Sequence, residues 1–169
     1  MAAGARLRKT MKFKSDLLRL AYEKTREFAY SLFGEVNVES LDGLLALREG
    51  STIVYLRVFP IESGKAGVEV FSYVAADVVE SEELMRFLLT YNLKLVMGGF
   101  GLLPGAGGKA TVLLTQTMLA DVLTETQLYA TVSAIAGVAD RLDDVIVNRF
   151  GGRTAINLLA RGDPHERWE

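Results

Sequence analysis

Between Ser81 and Pro104 the hydrophobic pattern changes period once. From Ser81 to Leu95 the apolar residues Leu84, Phe87, Leu88, Tyr91 and Leu95 recur at three and four, one face of a helix; from Gly98 the pattern becomes short-period and glycine-rich. Ser81 suits an N-cap, Glu82 and Glu83 suit the positive end of the helix dipole, and Gly98-Gly99 forces the exit into a strand. A second helix is predicted over residues 15–33, where Leu17, Ala21, Phe28 and Leu32 mark a stripe that Leu18, Tyr22 and Ala29 widen, with Gly34 closing it. The third runs from Glu125 to about Phe150. Thr124 and Gln127 form its capping box, and Leu128, Val132, Ile135, Ala139, Leu142 and Ile146 form one narrow seam.

Strands are predicted over Gly43–Arg48, Thr52–Phe59, Gly67–Ala76, Phe100–Leu103 and Ala110–Thr117, with room for a short one near Glu35–Val38. The order α-β-β-β-α-β-β-α makes an α+β domain, an antiparallel sheet with helices packed on it. The predicted organisation is a basic flexible arm over 1–14, a single domain over 15–150, and a C-terminal tail over 151–169 holding a short apolar helix near Thr154–Arg161.

A sheet covered on one face should alternate apolar with polar residues, and these strands do so only in part. Thr52–Phe59 places Val54, Leu56 and Val58 on one side and Ile53, Tyr55, Arg57 and Phe59 on the other. Gly67–Ala76 sets Val68, Val70 and Val74 against Glu69, Phe71 and Tyr73. Both faces therefore require cover. Aromatics and arginine are the types enriched among interface anchors, so Tyr55, Arg57, Phe59, Phe71 and Tyr73 are the candidate partner-binding residues. The pattern leaves three covers open: a foreign partner, a twin subunit, or the chain's own tail or first helix.

Composition narrows the classes. A chain of 169 residues, half of them hydrophobic, suits one core. Residues 1–14 hold Arg6, Arg8, Lys9, Lys12 and Lys14 and no acid; the remainder carries 14 basic residues against 21 acidic, a net of −7, a poor surface for tracking phosphates. No nucleic-acid partner is expected. The absence of cysteine excludes disulfides, thiolate metal sites and thiol nucleophiles. No apolar run reaches the ~18–20 residues that span a bilayer. The expected location is cytoplasmic.

No motif specifies a reaction. In the segment GGFGLLPGAGGK the positions that a phosphate-binding Walker loop fills with glycine and with Ser or Thr hold Leu103 and Ala110. Gly105-Ala106-Gly107 followed by Ala110 imitates a dinucleotide fingerprint, but a strand follows where a helix is required, so a tight hairpin is expected. Asp140, Asp143 and Asp144 lie within about one helical turn and lack partner ligands, which reads as a solvated face, and His165 stands alone near the C-terminus. Neither a catalytic residue nor a metal or cofactor is expected.

With this order assembled, the chain resembles the YbjN family and the structurally similar type III secretion chaperones. The resemblance is carried by Glu83-Leu84, Phe87-Leu88-Leu89, Asn92 and Leu95 on the central helix, and by Gly98, Phe100-Gly101-Leu102 and Gly105 after it. Ala139-Asp140 with Asp143-Asp144 near the end of the last helix adds to it. It implies a compact homodimer that acts by binding protein rather than by catalysis. The expected function is a non-enzymatic, chaperone-like or regulatory module holding an extended client segment on the aromatic sheet face. The alternative is a small-molecule sensor with its ligand between the sheet and the last helix.

Overall fold

The computed structural model describes residues 13–41, 43–50, 52–62 and 64–154. Helix α1 spans Asp16–Phe33 and is followed by a 3₁₀ turn over Glu35–Asn37. Strands β1 (Val38–Leu41), β2 (Leu44–Glu49), β3 (Thr52–Ile61) and β4 (Lys65–Val79) come next, then α2 (Glu82–Asn92). Strands β5 (Gly99–Pro104) and β6 (Lys109–Leu119), helix α3 (Glu125–Phe150) and strand β7 (Arg153–Thr154) complete the chain. All pairings are antiparallel, in the order β1-β2-β3-β4-β6-β5, with β7 on the flank of β4.

The α+β class and the antiparallel sheet agree with the pattern. Four strands rather than three precede α2, because the connection after α1 makes its 3₁₀ turn first and β1 follows it, pairing Val38 with Leu47 and Leu41 with Leu44. The tail also differs: Thr154 is extended in β7 rather than helical. The rest of the predicted short helix lies outside the described residues. At the other end Phe13 belongs to the packed body, its ring 5.3 Å from that of Tyr22.

The helix starts are those the caps specify. Ser15 accepts from the Leu18 N–H, Ser81 from the Leu84 N–H, and Thr124 and Gln127 cap each other reciprocally. The stripe of α1 is rotated from the predicted one: Leu18, Ala21, Tyr22, Thr25 and Ala29 are buried, while Leu17 faces outward. On α3 the predicted seam is buried along its whole length, from Leu128 to Ile146. It packs with Val54, Leu56, Val68, Val70, Val112 and Leu114 of the strands and with the buried residues of α1 and α2 in one cluster. All three helices thus share one face of the sheet, called the first face here.

Helix α2 is joined to β5 by a side chain. The carboxamide oxygen of Asn92 accepts from the Phe100 N–H at 2.7 Å, and its nitrogen donates to the Phe100 carbonyl at 3.4 Å. Between them Gly98 has φ +79°, and a methyl group there would lie 2.9 Å from Ile135 Cδ1 and 3.1 Å from the Thr115 carbonyl oxygen. The turn works only with no side chain at that position. Gly98→Ala is expected to lower unfolding free energy by about 1–2 kcal/mol from backbone strain alone, and more where Ile135 cannot shift, as read from urea denaturation midpoints.

Candidate functional site

The opposite, second face carries a different kind of cluster. Register places Tyr55 across from Phe71, Arg57 across from Glu69, and Phe59 across from Gly67 on β3 and β4; Phe71 and Tyr73 face Thr115 and Leu113 of β6. Because side chains alternate along each strand, these residues stand on one side of the sheet. The rings of Tyr55 and Phe71 stack at 5.2 Å, Tyr73 tilts against Tyr55 at 5.7 Å, and Phe71 meets Tyr73 edge-on at 5.6 Å. Each such contact contributes ~0.5–1.5 kcal/mol beyond area burial. Leu44, Ala46 and Leu113 complete the cluster, with Leu41, Ile53 and Leu103 at its margin. Every member comes from a strand; among the described residues no helix side chain joins it.

Arg57 connects this cluster to a polar edge. Its guanidinium lies 5.7 Å from the Phe59 ring centroid and 6.0 Å from that of Phe71. It donates to Glu69 Oε2, while Thr115 Oγ1 donates to Glu69 Oε1 at 2.8 Å. Arg57 Nε is buried and has no hydrogen-bond partner among the described residues. The Phe59 ring lies over Gly67, where a methyl group would meet it at 2.8 Å, so the glycine is the seat of the ring. All five candidate residues are therefore brought onto one face, in two parts: an inner trio of Tyr55, Phe71 and Tyr73 that is 2, 2 and 7% exposed, and an outer pair, Arg57 and Phe59, half-buried at its edge.

Glu69 and Thr115 belong to this arrangement and were not singled out from the sequence. Glu69 shares the alternation that selects Phe71, which was the available signal; Thr115 reaches Glu69 only through the β4–β6 register, which no local pattern encodes.

The remaining candidates separate from this face. The glycine-rich segment is the β5–β6 hairpin, with a 3₁₀ turn over Ala106–Gly108 and the Gly105 N–H donating to the Lys109 carbonyl at 2.7 Å. Lys109 already begins β6. Asp140, Asp143 and Asp144 lie on α3, and among the described residues no group of carboxylates or histidines is arranged to hold a metal ion. His165 lies outside the described residues. No helix among those residues is long and apolar enough to cross a membrane.

The class is that of a small α+β protein, an antiparallel sheet with its helices on one face and aromatic residues and an arginine on the other. Residues 23–158 match the family described as T3SS (YopN, CesT) and YbjN peptide-binding chaperone 1, and the chain belongs to that family. The family is described as one of peptide-binding chaperones. Among solved structures, the chain is similar to the ExsC–ExsE complex (21% identity, TM-score 0.54, covering 78% of this chain and 97% of that one). It is also similar to the HopA1–SchA chaperone–effector complex (14% identity, TM-score 0.55, 77% and 98%). YbjN from E. coli, described as a putative transcription regulator, matches at 10% identity with a TM-score of 0.53, over 73% of this chain and 91% of that one. At these identities the likenesses concern fold. No curated protein sequence matches the chain.

One acidic residue on α3 has a readable electrostatic consequence. Partial burial raises the Asp143 carboxyl above the ordinary value of 3.8; the Asp144 N–H, donating at 2.6 Å, opposes the shift, and the charges of Asp144 and Asp140 add to it. The stabilising contribution of protonation is complete below 3.8 and is lost as pH rises through the raised folded value. Asp143→Asn is therefore expected to be more stable than the parent at pH 7, the difference narrowing as pH falls toward 3.8, as checked by thermal melts across that range.

Proposed function

We propose that this protein is a non-enzymatic, chaperone-like or regulatory protein-binding module that acts in the cytoplasm as a homodimer and holds an extended client segment on the second face. The observation that carries this reading is the joined cluster of Tyr55, Phe71 and Tyr73 with the Arg57–Glu69 pair, on a face that no described helix covers. Flat aromatic rings present contact area at low entropic cost, and the guanidinium adds donors for a client's carbonyls or carboxylates. Membership of a peptide-binding chaperone family supports the same reading, as do the complexes in which proteins of this fold are found.

Self-association is assigned to a different surface. On the outer side of α2 and the turn after it, Met85, Leu89, Leu93 and Val96 are 40, 67, 88 and 96% exposed, while Leu84 and Leu88 on the inner side are buried. Three of these are four residues apart and make one ridge. Helix α2 itself packs against β5, which ends the strand order and has β6 as its one strand neighbour among the described residues. A contiguous apolar stripe of this kind marks an interaction surface. Pairing two copies here leaves both second faces available. Leu89→Asp is expected to convert a dimer to a folded monomer in light scattering; an unchanged dimeric mass would place the interface elsewhere.

The small-molecule alternative has less support. The space between the sheet and α3 is filled by Leu128, Val132, Ile135 and Ile146, all fully buried, and the buried Thr131 hydroxyl there donates to the sulfurs of Met97 and Met118.

The client site is tested with extended peptides selected from a random display library on the full chain. Arg57→Ala and Phe59→Ala, which change half-buried edge residues, are expected to weaken the selected peptides at least tenfold while retaining the parent's circular dichroism. Undiminished affinity in both variants would remove the second face from the function. Truncating the inner rings is the poorer test, since emptying a site as buried as that of Phe71 costs ~3–5 kcal/mol of stability by itself.

A further inference from the structure

A glycine inside a strand weakens it, having no side chain to pack and the most backbone freedom to lose, so it needs a local reason. On the second face Gly67 has one. The ring of Phe59, directly opposite on β3, lies on its bare backbone, and a methyl group there would meet the ring at 2.8 Å. Gly101 on β5 stands on the same face: it pairs with Leu113 of the aromatic cluster, while its neighbours Phe100 and Leu102 pack into the first-face core. It is not among the glycines with positive φ, and a methyl group there would meet no atom of the described residues within 4 Å. Neither backbone geometry nor packing within the described chain calls for a glycine at this position.

The surroundings of Gly101 are those of a ring seat. Leu113 lies opposite and Leu103 two residues along β5, both at the aromatic cluster, with Tyr73 across from Leu113 on β4. Gly67 receives its ring from the next strand, but β5 ends the strand order, so no further strand supplies one to Gly101. Nor does the edge of β5 offer a continuous ladder to an added strand. Asn92 bonds both the N–H and the carbonyl of Phe100, and Pro104 has no N–H to give. A partner therefore reaches Gly101 over the face, by a side chain.

We propose that Gly101 is an unfilled seat for an aromatic side chain, and that an extended client segment lays a Phe, Tyr or Trp ring on it, against Leu113 and Leu103. The contact repeats between chains what Phe59 and Gly67 make within this one. A bare strand backbone bordered by leucine side chains accepts a flat ring at close range, where any side chain of its own would hold the ring off. The inference rests on the client-binding reading and adds to it the chemistry by which a client is recognised.

Gly101→Ala separates the seat from the scaffold. In the free chain the added methyl enters open space and alanine suits a strand better than glycine, so the urea midpoint is expected to be equal to the parent's or higher. Peptides selected from a random display library on the full parent chain are expected to carry an aromatic residue whose replacement by leucine weakens binding at least tenfold. Gly101→Ala is expected to weaken the same aromatic peptides at least tenfold and to change the affinity of their leucine versions less than twofold, the coupling that a direct contact requires. A library that returns no binder, or binders without an aromatic residue, would overturn the inference. So would a lowered urea midpoint, which shows that the space is already filled within the chain, or a mass that falls from dimer to monomer in light scattering, which identifies a second copy as the occupant. Peptides weakened by Arg57→Ala and Phe59→Ala but not by Gly101→Ala would remove the seat and leave the client face in place. The reverse pattern would keep the seat and move the client site to the β5 end of the sheet.

Discussion

The structure depends on the contact between α3 and the first face of the sheet. The helix is 26 residues long, ~39 Å at 1.5 Å per residue, against ~24 Å for the width of six strands. One uninterrupted seam can therefore serve several strands at once, and Leu128, Val132, Ile135 and Ile146 leave no exposed surface along it. Helices α1 and α2 add their buried sides to the same cluster rather than covering the reverse of the sheet. Once all three helices are committed to one face, the other must be covered by something that is not a helix of this core.

The two faces differ in kind. The first is built of valine and leucine, which interdigitate with helix side chains in one dense arrangement. The second mixes four aromatic rings, those of Tyr55, Phe59, Phe71 and Tyr73, with an arginine, a glutamate and threonines on neighbouring strands. Aromatic rings and a guanidinium stack and, in tyrosine and arginine, hydrogen-bond in ways that aliphatic side chains cannot, and it is on this chemistry that the proposed client site draws. The Arg57–Glu69 pair sets its polar limit: removing either partner leaves a partly buried charge uncompensated.

Strand β4 organises both surfaces. Its fifteen residues outrun β3 and are bent by register shifts after Tyr73 and Ala75, where Asp77 takes φ +57°. That excess length provides the flank on which β7 adds. Where the β3 ladder ends, a two-residue strand from the same chain takes the backbone groups of Ala75 and Ala76 that would otherwise be an open edge.

The sequence by itself determined the three helices, the caps at Ser81 and Thr124, the α3 seam and the α+β class, because each rests on short-range periodicity and on residues within one turn of each other. It also separated Tyr55, Arg57, Phe59, Phe71 and Tyr73 from the first-face residues, since alternation along a strand is local. It did not determine that Leu17 faces outward, because α1 offers two overlapping stripes and only packing against β3 and β4 selects one. Nor did it supply β7, the bounds of β1, for which it left room only near Glu35–Val38, or the bond from Thr115 to Glu69, which arise from pairings between residues distant in the chain. The tertiary structure alone decided that α1, α2 and α3 lie together, and hence that the aromatic face is the one left over. The reason is that a strand's pattern records which residues need burial, while the identity of what buries them is a property of the assembled layers.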